Sequence, residues 1–152
     1  MTELLAVVAL LGSGVTAGVL FAVALSVLPA LFAMEPGTYV HAHQLLGRNW
    51  DPTMPVIVLG SCLATGVLAV LSEGGGGAQP LFGAAAVLLL GVSGVSHLAN
   101  VPINRRVKAI ADPSQLPADW EDPRPLWQRW HLLRTTLAVL ALGVTAWAVL
   151  LL

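Results

Sequence analysis

Four long apolar runs, covering about residues 4–33, 54–72, 80–98 and 131–152, alternate with stretches of very different character. A helix of about 20 mostly apolar residues crosses the hydrocarbon layer of a bilayer. Each run therefore predicts a membrane span. Residues 1–152 read as a single all-α domain, a four-helix transmembrane bundle. The first run is long enough to tilt, or to bend at Pro29. It opens MTELLAVVAL with no Lys or Arg ahead of it, and it exceeds the ~7–15 apolar residues of a secretion signal, so it predicts a retained helix. Small residues recur inside the runs, with Gly14 and Gly18 forming a GxxxG and Gly60 and Ala64 a small-xxx-small pair. Such spacings let helix backbones approach closely in lipid.

The connections divide into two kinds. Residues 73–79, EGGGGAQ, form a short link whose only charge is Glu73, whereas 34–53 and 99–130 are longer, polar, and rich in Pro, Trp and His. All seven basic residues (Arg48, Arg105, Arg106, Lys108, Arg124, Arg129 and Arg134) lie in or beside these two long connections. Short loops rich in Lys and Arg stay in the cytoplasm, so N and C termini are expected outside with the Gly-rich link, and the long connections inside. Trp50, Trp120, Trp127 and Trp130 fall on the inner side and Trp147 near the outer one. They fit an interfacial belt or, for Trp127 and Trp130, the lining of an aromatic-binding cleft.

Composition supports the membrane reading. The chain is 57% hydrophobic and 10% charged, far from the roughly 25% charged residues of soluble domains. A net charge of −1 leaves no electrostatic footprint for nucleic acid. Cys62 is the single cysteine, which excludes disulfides and Cys-based metal sites within one chain.

Chemistry-bearing residues gather toward one end. His41, His43, His97 and His131 come from the first long connection, the end of the third run and the start of the fourth, which the topology places at one membrane level. In the third run Ser93, His97, Asn100 and Asn104 are spaced i, i+4, i+7 and i+11, one face of a regular helix. Pro102 interrupts that helix and should push Val101 toward extended backbone. Asn100 and Asn104 then either satisfy the freed carbonyls or line a pocket at the break. His131, Arg134 and Thr135 share a face in the fourth run, where a charge is costly without a partner. Arg134 either snorkels to the headgroups or points inward as a fixed cation that, with Asn100 and Asn104, stabilises a phenolate or enolate oxyanion, with His131 as general base. His41 and His43 form an HxH, and imidazoles suit Cu, Fe, Ni and Zn. A second expectation is therefore a metal held by His41, His43, His97 and His131, with only Glu35 and Asp51 as neighbouring carboxylates.

Three segments, ALSVLPALF at 24–32, NVPIN at 100–104 and WQRWHLLRT at 127–135, resemble the anthrone oxygenase-like family of small four-helix membrane proteins. The resemblance covers nearly the whole chain. It implies an Asn-x-Pro-x-Asn motif in Asn100, Pro102 and Asn104, and a Trp-x(3)-His-x(2)-Arg motif in Trp127, His131 and Arg134. His41, His43 and His97 stand outside that pattern. The activity implied is addition of oxygen to a polyketide anthrone without flavin, haem or nicotinamide. The expected function is thus a membrane-bound oxidoreductase, an oxygenase that joins O₂ to a hydrophobic aromatic substrate, with either no cofactor or a His-ligated Cu or Fe ion. The alternative is a non-enzymatic membrane subunit that binds or moves a lipid-like compound or packs against a partner, including another copy of itself.

Overall fold

The computed structural model describes residues 1–50, 52–72 and 76–152. Asp51 and residues 73–75, the start of the Gly-rich link, lie outside the described residues. Among the described ones every regular element is a helix, and there are five: α1 Thr2–Phe32, α2 Pro36–Leu46, α3 Thr53–Leu71, α4 Ala78–Lys108 and α5 Arg124–Leu150. The four long ones are apolar enough to cross a membrane. They pack in a ring in which α1 meets α3 and α5, and α4 meets α3 and α5. Neighbours run antiparallel, so the termini, Ser72 and Gly76 share one end, and the described residues of the two long connections share the other.

The bundle is built with small residues inside and large ones outside. Ala6, Ala9, Ala17, Ala64, Ala85, Ala138, Ala141 and Ala148 are buried, while Leu4, Leu11, Leu63, Val70, Val87 and Leu140 point outward. A water-soluble bundle does the reverse. In lipid there is no hydrophobic drive between helices, so close backbone packing of small side chains holds them together. The buried hydroxyls of Thr16, Ser61, Thr65 and Thr145 donate to carbonyls one turn back in their own helices, which satisfies these donors locally, whereas the Ser13 hydroxyl is buried without a partner among the described residues.

Closest approach falls elsewhere than the GxxxG predicts. A Cβ at Gly18 or Gly60 would meet nothing, whereas one at Gly12 would collide with the Ser61 Oγ of α3. Gly12 is therefore where α1 and α3 touch. At the link, Gly77 adopts φ +83° ahead of α4, a left-handed turn that glycine allows without strain.

Two departures from regular helix position the site. α1 contains a π-helical turn over Val23–Val27, and α4 one over Ser96–Asn100. Each begins six residues before a proline, Pro29 and Pro102 respectively. A π turn inserts one residue into the ladder and absorbs a proline's missing donor and ring bulk without ending the helix. Val101 is consequently helical, at φ −62° and ψ −44°, rather than extended, and α4 runs on to Lys108 instead of stopping near residue 98.

Candidate functional site

The two π turns face a cavity of about 390 Å³ at the loop end of the bundle. α1 contributes Leu20, Val23 and Val27, α3 contributes Met54 and Val58, and α4 contributes Ser93, Ser96, Val101 and Asn104. α5 contributes Trp127, His131 and Arg134, and α2 covers the opening with His43.

His131 and Arg134 form the polar floor. His131 is fully buried, and both its ring nitrogens are engaged. Nε2 donates to the Leu20 carbonyl at 3.0 Å, beside the point where the π turn of α1 loosens the α-helical ladder. Nδ1 accepts from Arg134 Nε at 3.2 Å and Nη2 at 2.9 Å. A carbonyl only accepts and a guanidinium only donates, so these partners hold His131 as the neutral Nε2–H tautomer. No lone pair is left for a substrate proton. Arg134 also donates through Nη1 to Ser96 Oγ at 3.2 Å. Of its five N–H groups, two remain without a partner among the described residues, and Arg134 lines the cavity. The inward orientation, not the snorkelling one, is observed.

Trp127 forms the wall above the floor. Its ring stacks on His131 at 5.0 Å between centroids and 8° between planes. Its indole Nε1 donates to Asn104 Oδ1 at 2.8 Å, so Asn104 positions the tryptophan while lining the cavity. Asn100 does not reach the cavity. It is buried behind Trp127, where Nδ2 donates to the Trp127 carbonyl at 3.2 Å, so it ties α4 to the first turn of α5. The residue inserted by the π turn explains this: after His97 the cavity face passes through Val101, and Asn100 is rotated away. Trp130 is likewise not in the cavity but on the outer surface of α5, 38% exposed. Trp50, read from sequence only as part of an interfacial belt, lines the cavity mouth.

The expected four-histidine metal set does not assemble. Among the described residues no three His, Cys, Asp or Glu side chains converge. His41 faces a separate open depression with Glu35, Thr38 and Pro113. His97 is exposed at the cavity rim, its Nδ1 2.9 Å from the Ser93 carbonyl. His43 and His131 are separated by the Trp127 ring, which meets His43 edge-on at 5.8 Å. The residues present therefore do not fit an ion shared by these imidazoles.

His43 has a different standing. It is buried in α2 between Tyr39, at 5.6 Å, and Trp127, with Asn104 nearby as its polar neighbour among the described residues. Burial pushes its imidazole below the ordinary value, Asn104 opposes this and Lys108 reinforces it. At neutral pH it is an uncharged base on the cavity wall.

Two clamps hold α2 in place. Gln44 donates to the carbonyls of Val107 and Ile110 at 3.2 and 2.9 Å, and Lys108 Nζ donates to that of Gly47 at 2.9 Å. At the first turn of α5, Arg124 pairs with Asp122 and donates to the Leu31 and Met34 carbonyls at 2.9 and 2.7 Å. It thus satisfies the orphan groups at the C-terminus of α1. Its guanidinium also lies 4.9 Å from the Tyr39 ring centroid. The Tyr39 hydroxyl is pushed up to about 12 by burial first and Asp122 second, against the opposing pull of Arg124, and so stays neutral.

The comparison with protein families is decisive about kinship. Residues 43–144, about two-thirds of the chain, match the anthrone oxygenase family. The chain belongs to that family. The matched region contains His43, Asn104, Trp127, His131 and Arg134 but not His41. No curated protein and no solved structure is detectably similar. With four membrane-spanning helices, the chain is a multi-pass membrane protein of the anthrone oxygenase family.

Proposed function

We propose that this family member is a membrane-bound oxidoreductase, an oxygenase that joins O₂ to a hydrophobic phenolic aromatic of the anthrone type in the loop-end cavity. The observation that carries the reading is the half-buried Arg134, held by His131 and Ser96 with two N–H groups left for a ligand. Such a donor pair in an apolar site stabilises an oxyanion far better than water does. Val23, Val27 and Trp127 supply apolar lining for fused rings.

In this mechanism His43, rather than His131, is the general base. It takes a proton from the CH₂ carbon between the rings, and the charge delocalises onto a phenolic or enolic oxygen hydrogen-bonded to Arg134. The electron-rich carbon is oxidised by O₂ and a C–O bond forms. The resulting peroxide anion takes up the proton to give a hydroperoxide, whose O–O bond then breaks as the remaining C–H hydrogen and the OH leave as water. The sum is CH₂ + O₂ → C=O + H₂O, balanced without a cofactor. His131 and Asn104 are positioning residues, fixing the guanidinium and the indole. The concentration of basic residues at the loop end supports placing that end in the cytoplasm and the chain in the cell membrane.

The test is oxygen consumption with an anthrone by the full chain in lipid nanodiscs. Arg134→Lys keeps a charge but loses the planar fork held by His131, so turnover per folded molecule should fall about 10²-fold. A wild type that consumes no oxygen with any anthrone, or an Arg134→Lys variant of undiminished activity, would overturn the reading in favour of a non-enzymatic binding or packing subunit.

A further inference from the structure

The charge lining the cavity is one-sided. Its described residues include Arg134 at the floor, Arg105 and Lys108 at the mouth, and the imidazoles of His43, His97 and His131, with no carboxylate. Among the described residues the one ion pair is Arg124–Asp122, outside this lining. The rest of the wall is largely aliphatic and indole surface. The cations also sit at two depths. Arg134 meets α4 at Ser96, and the twelve residues from there to Lys108 span about 18 Å of helix axis. Lys108 donates one N–H to the Gly47 carbonyl, so a neutral arene satisfies the apolar wall and the floor but leaves Arg105 and the remaining Lys108 donors without an anion among the described residues.

We infer that the ligand of this cavity is a two-ended acid: a fused aromatic body with a phenolic group at Arg134 and a carboxylate, or an equivalent anion, read by Arg105 and Lys108 at the mouth. The inference rests on the cavity being the substrate site and deepens that reading by naming the substrate class. The same mouth chemistry also suits an anionic lipid headgroup, because this end of the bundle lies near the membrane surface. What separates the two sources is the aromatic body: an arene carboxylate is held by the apolar wall as well as by charge, whereas a headgroup is held at the mouth alone.

The experiment uses two unreactive quinones of nearly equal shape, anthraquinone-2-carboxylate and anthraquinone-2-carboxamide. Binding to the full chain is read by quenching of tryptophan fluorescence, since Trp50 and Trp127 line the cavity. In zwitterionic nanodiscs the carboxylate should bind about tenfold more tightly than the amide, the size of one charged hydrogen bond. The preference should survive when a third of the lipid is phosphatidylglycerol. It should shrink to about twofold in the Arg105→Gln, Lys108→Gln double variant, while affinity for the amide stays the same.

Equal affinity for the two probes in wild type overturns the inference. So does a preference abolished by phosphatidylglycerol, which would mark Arg105 and Lys108 as a headgroup site. If the double variant loses both probes because α2 has come away from Lys108, Arg105→Gln alone decides, and a full tenfold preference there overturns the proposal. Because neither quinone reacts, the result is independent of turnover. Loss of oxygen consumption with the preference intact removes the oxygenase reading alone, and an absent preference with normal consumption removes only the two-ended acid.

Discussion

The two ends of this bundle are built on opposite plans. At the end that holds the termini, Ala6, Ala9, Leu68, Ala78, Phe82 and Ala148 close into a dry apolar cluster, and the helices there keep regular α geometry. At the loop end both helices that carry π turns widen around a cavity, and His131, Arg134 and Asn104 are held by specific hydrogen bonds. The first plan gains stability from close contact. The second gives up contact and replaces it with oriented polar groups, which suits chemistry better than cohesion. One helix serves both: α4 presents Ala85 and Leu89 to the core in its first half, and Ser96 and Asn104 to the cavity in its second.

Perturbing each end separately tests that division. The largest effect is expected at the loop end. His43→Asn should lower turnover by at least ~10²-fold, the usual cost of a lost general base, with thermal unfolding in nanodiscs little changed. The wild-type pH profile sharpens this. A lowered imidazole pKa means that His43 is already neutral at pH 7, so activity should be level through neutrality. It should fall only once the pH drops below 6.5, the ordinary imidazole value. Stability shifts in the same direction: the contribution of a neutral buried His43 is complete above that unfolded value and is lost as the pH falls through the folded one. An acid limb that persists unchanged in His43→Asn would assign the titration to another group.

At the opposite end Phe82→Ala removes a fully buried ring and should cost about 3 kcal/mol in unfolding free energy. Turnover per folded molecule should remain within about twofold. A collapse of turnover in a still-folded Phe82→Ala protein would show that the two ends are coupled. The mildest perturbation asks only which end faces which compartment. Single cysteines replacing the exposed Leu152 and Arg106 should leave stability and activity unchanged, and in intact cells an impermeant thiol reagent should label the first and spare the second. The reverse pattern would invert the orientation expected from the basic residues.

Hydropathy made the four spans legible because twenty apolar residues have few other uses, and the polar end was legible because every basic residue lies at or near it. The details of the site were not. The stripe Ser93–His97–Asn100–Asn104 assumed 3.6 residues per turn throughout, and one inserted residue put Val101 in the place intended for Asn100. Nothing in local composition announces a π turn, although a proline that fails to end an apolar helix is a hint, and both Pro29 and Pro102 carry it. α2 escaped notice because a short helix mixing His, Gly and Gln lacks a clear apolar face, and with it went the position of His43. Histidines expected to meet because they share a level were parted by Trp127, since depth along a bundle says nothing of angle around it. The GxxxG failed similarly: Gly18 faces outward, and the contact belongs to Gly12.

The unequal lengths of the helices carry a kinetic consequence. With 19 residues, α3 is about 28 Å long, close to the ~30 Å hydrocarbon thickness, whereas α1 and α4, with 31 residues each, reach about 46 Å. Their excess extends past α3 at the loop end, and the cavity reaches from there into the span, down to Thr16, Val58 and Val92. Under the proposed oxygenase function, a substrate of low water solubility would arrive by diffusion in two dimensions, already concentrated by partitioning into the bilayer, and O₂ from the same phase. The rate should follow the mole fraction of substrate in the lipid rather than its bulk concentration. Adding empty bilayer at constant total substrate would then slow the reaction by surface dilution.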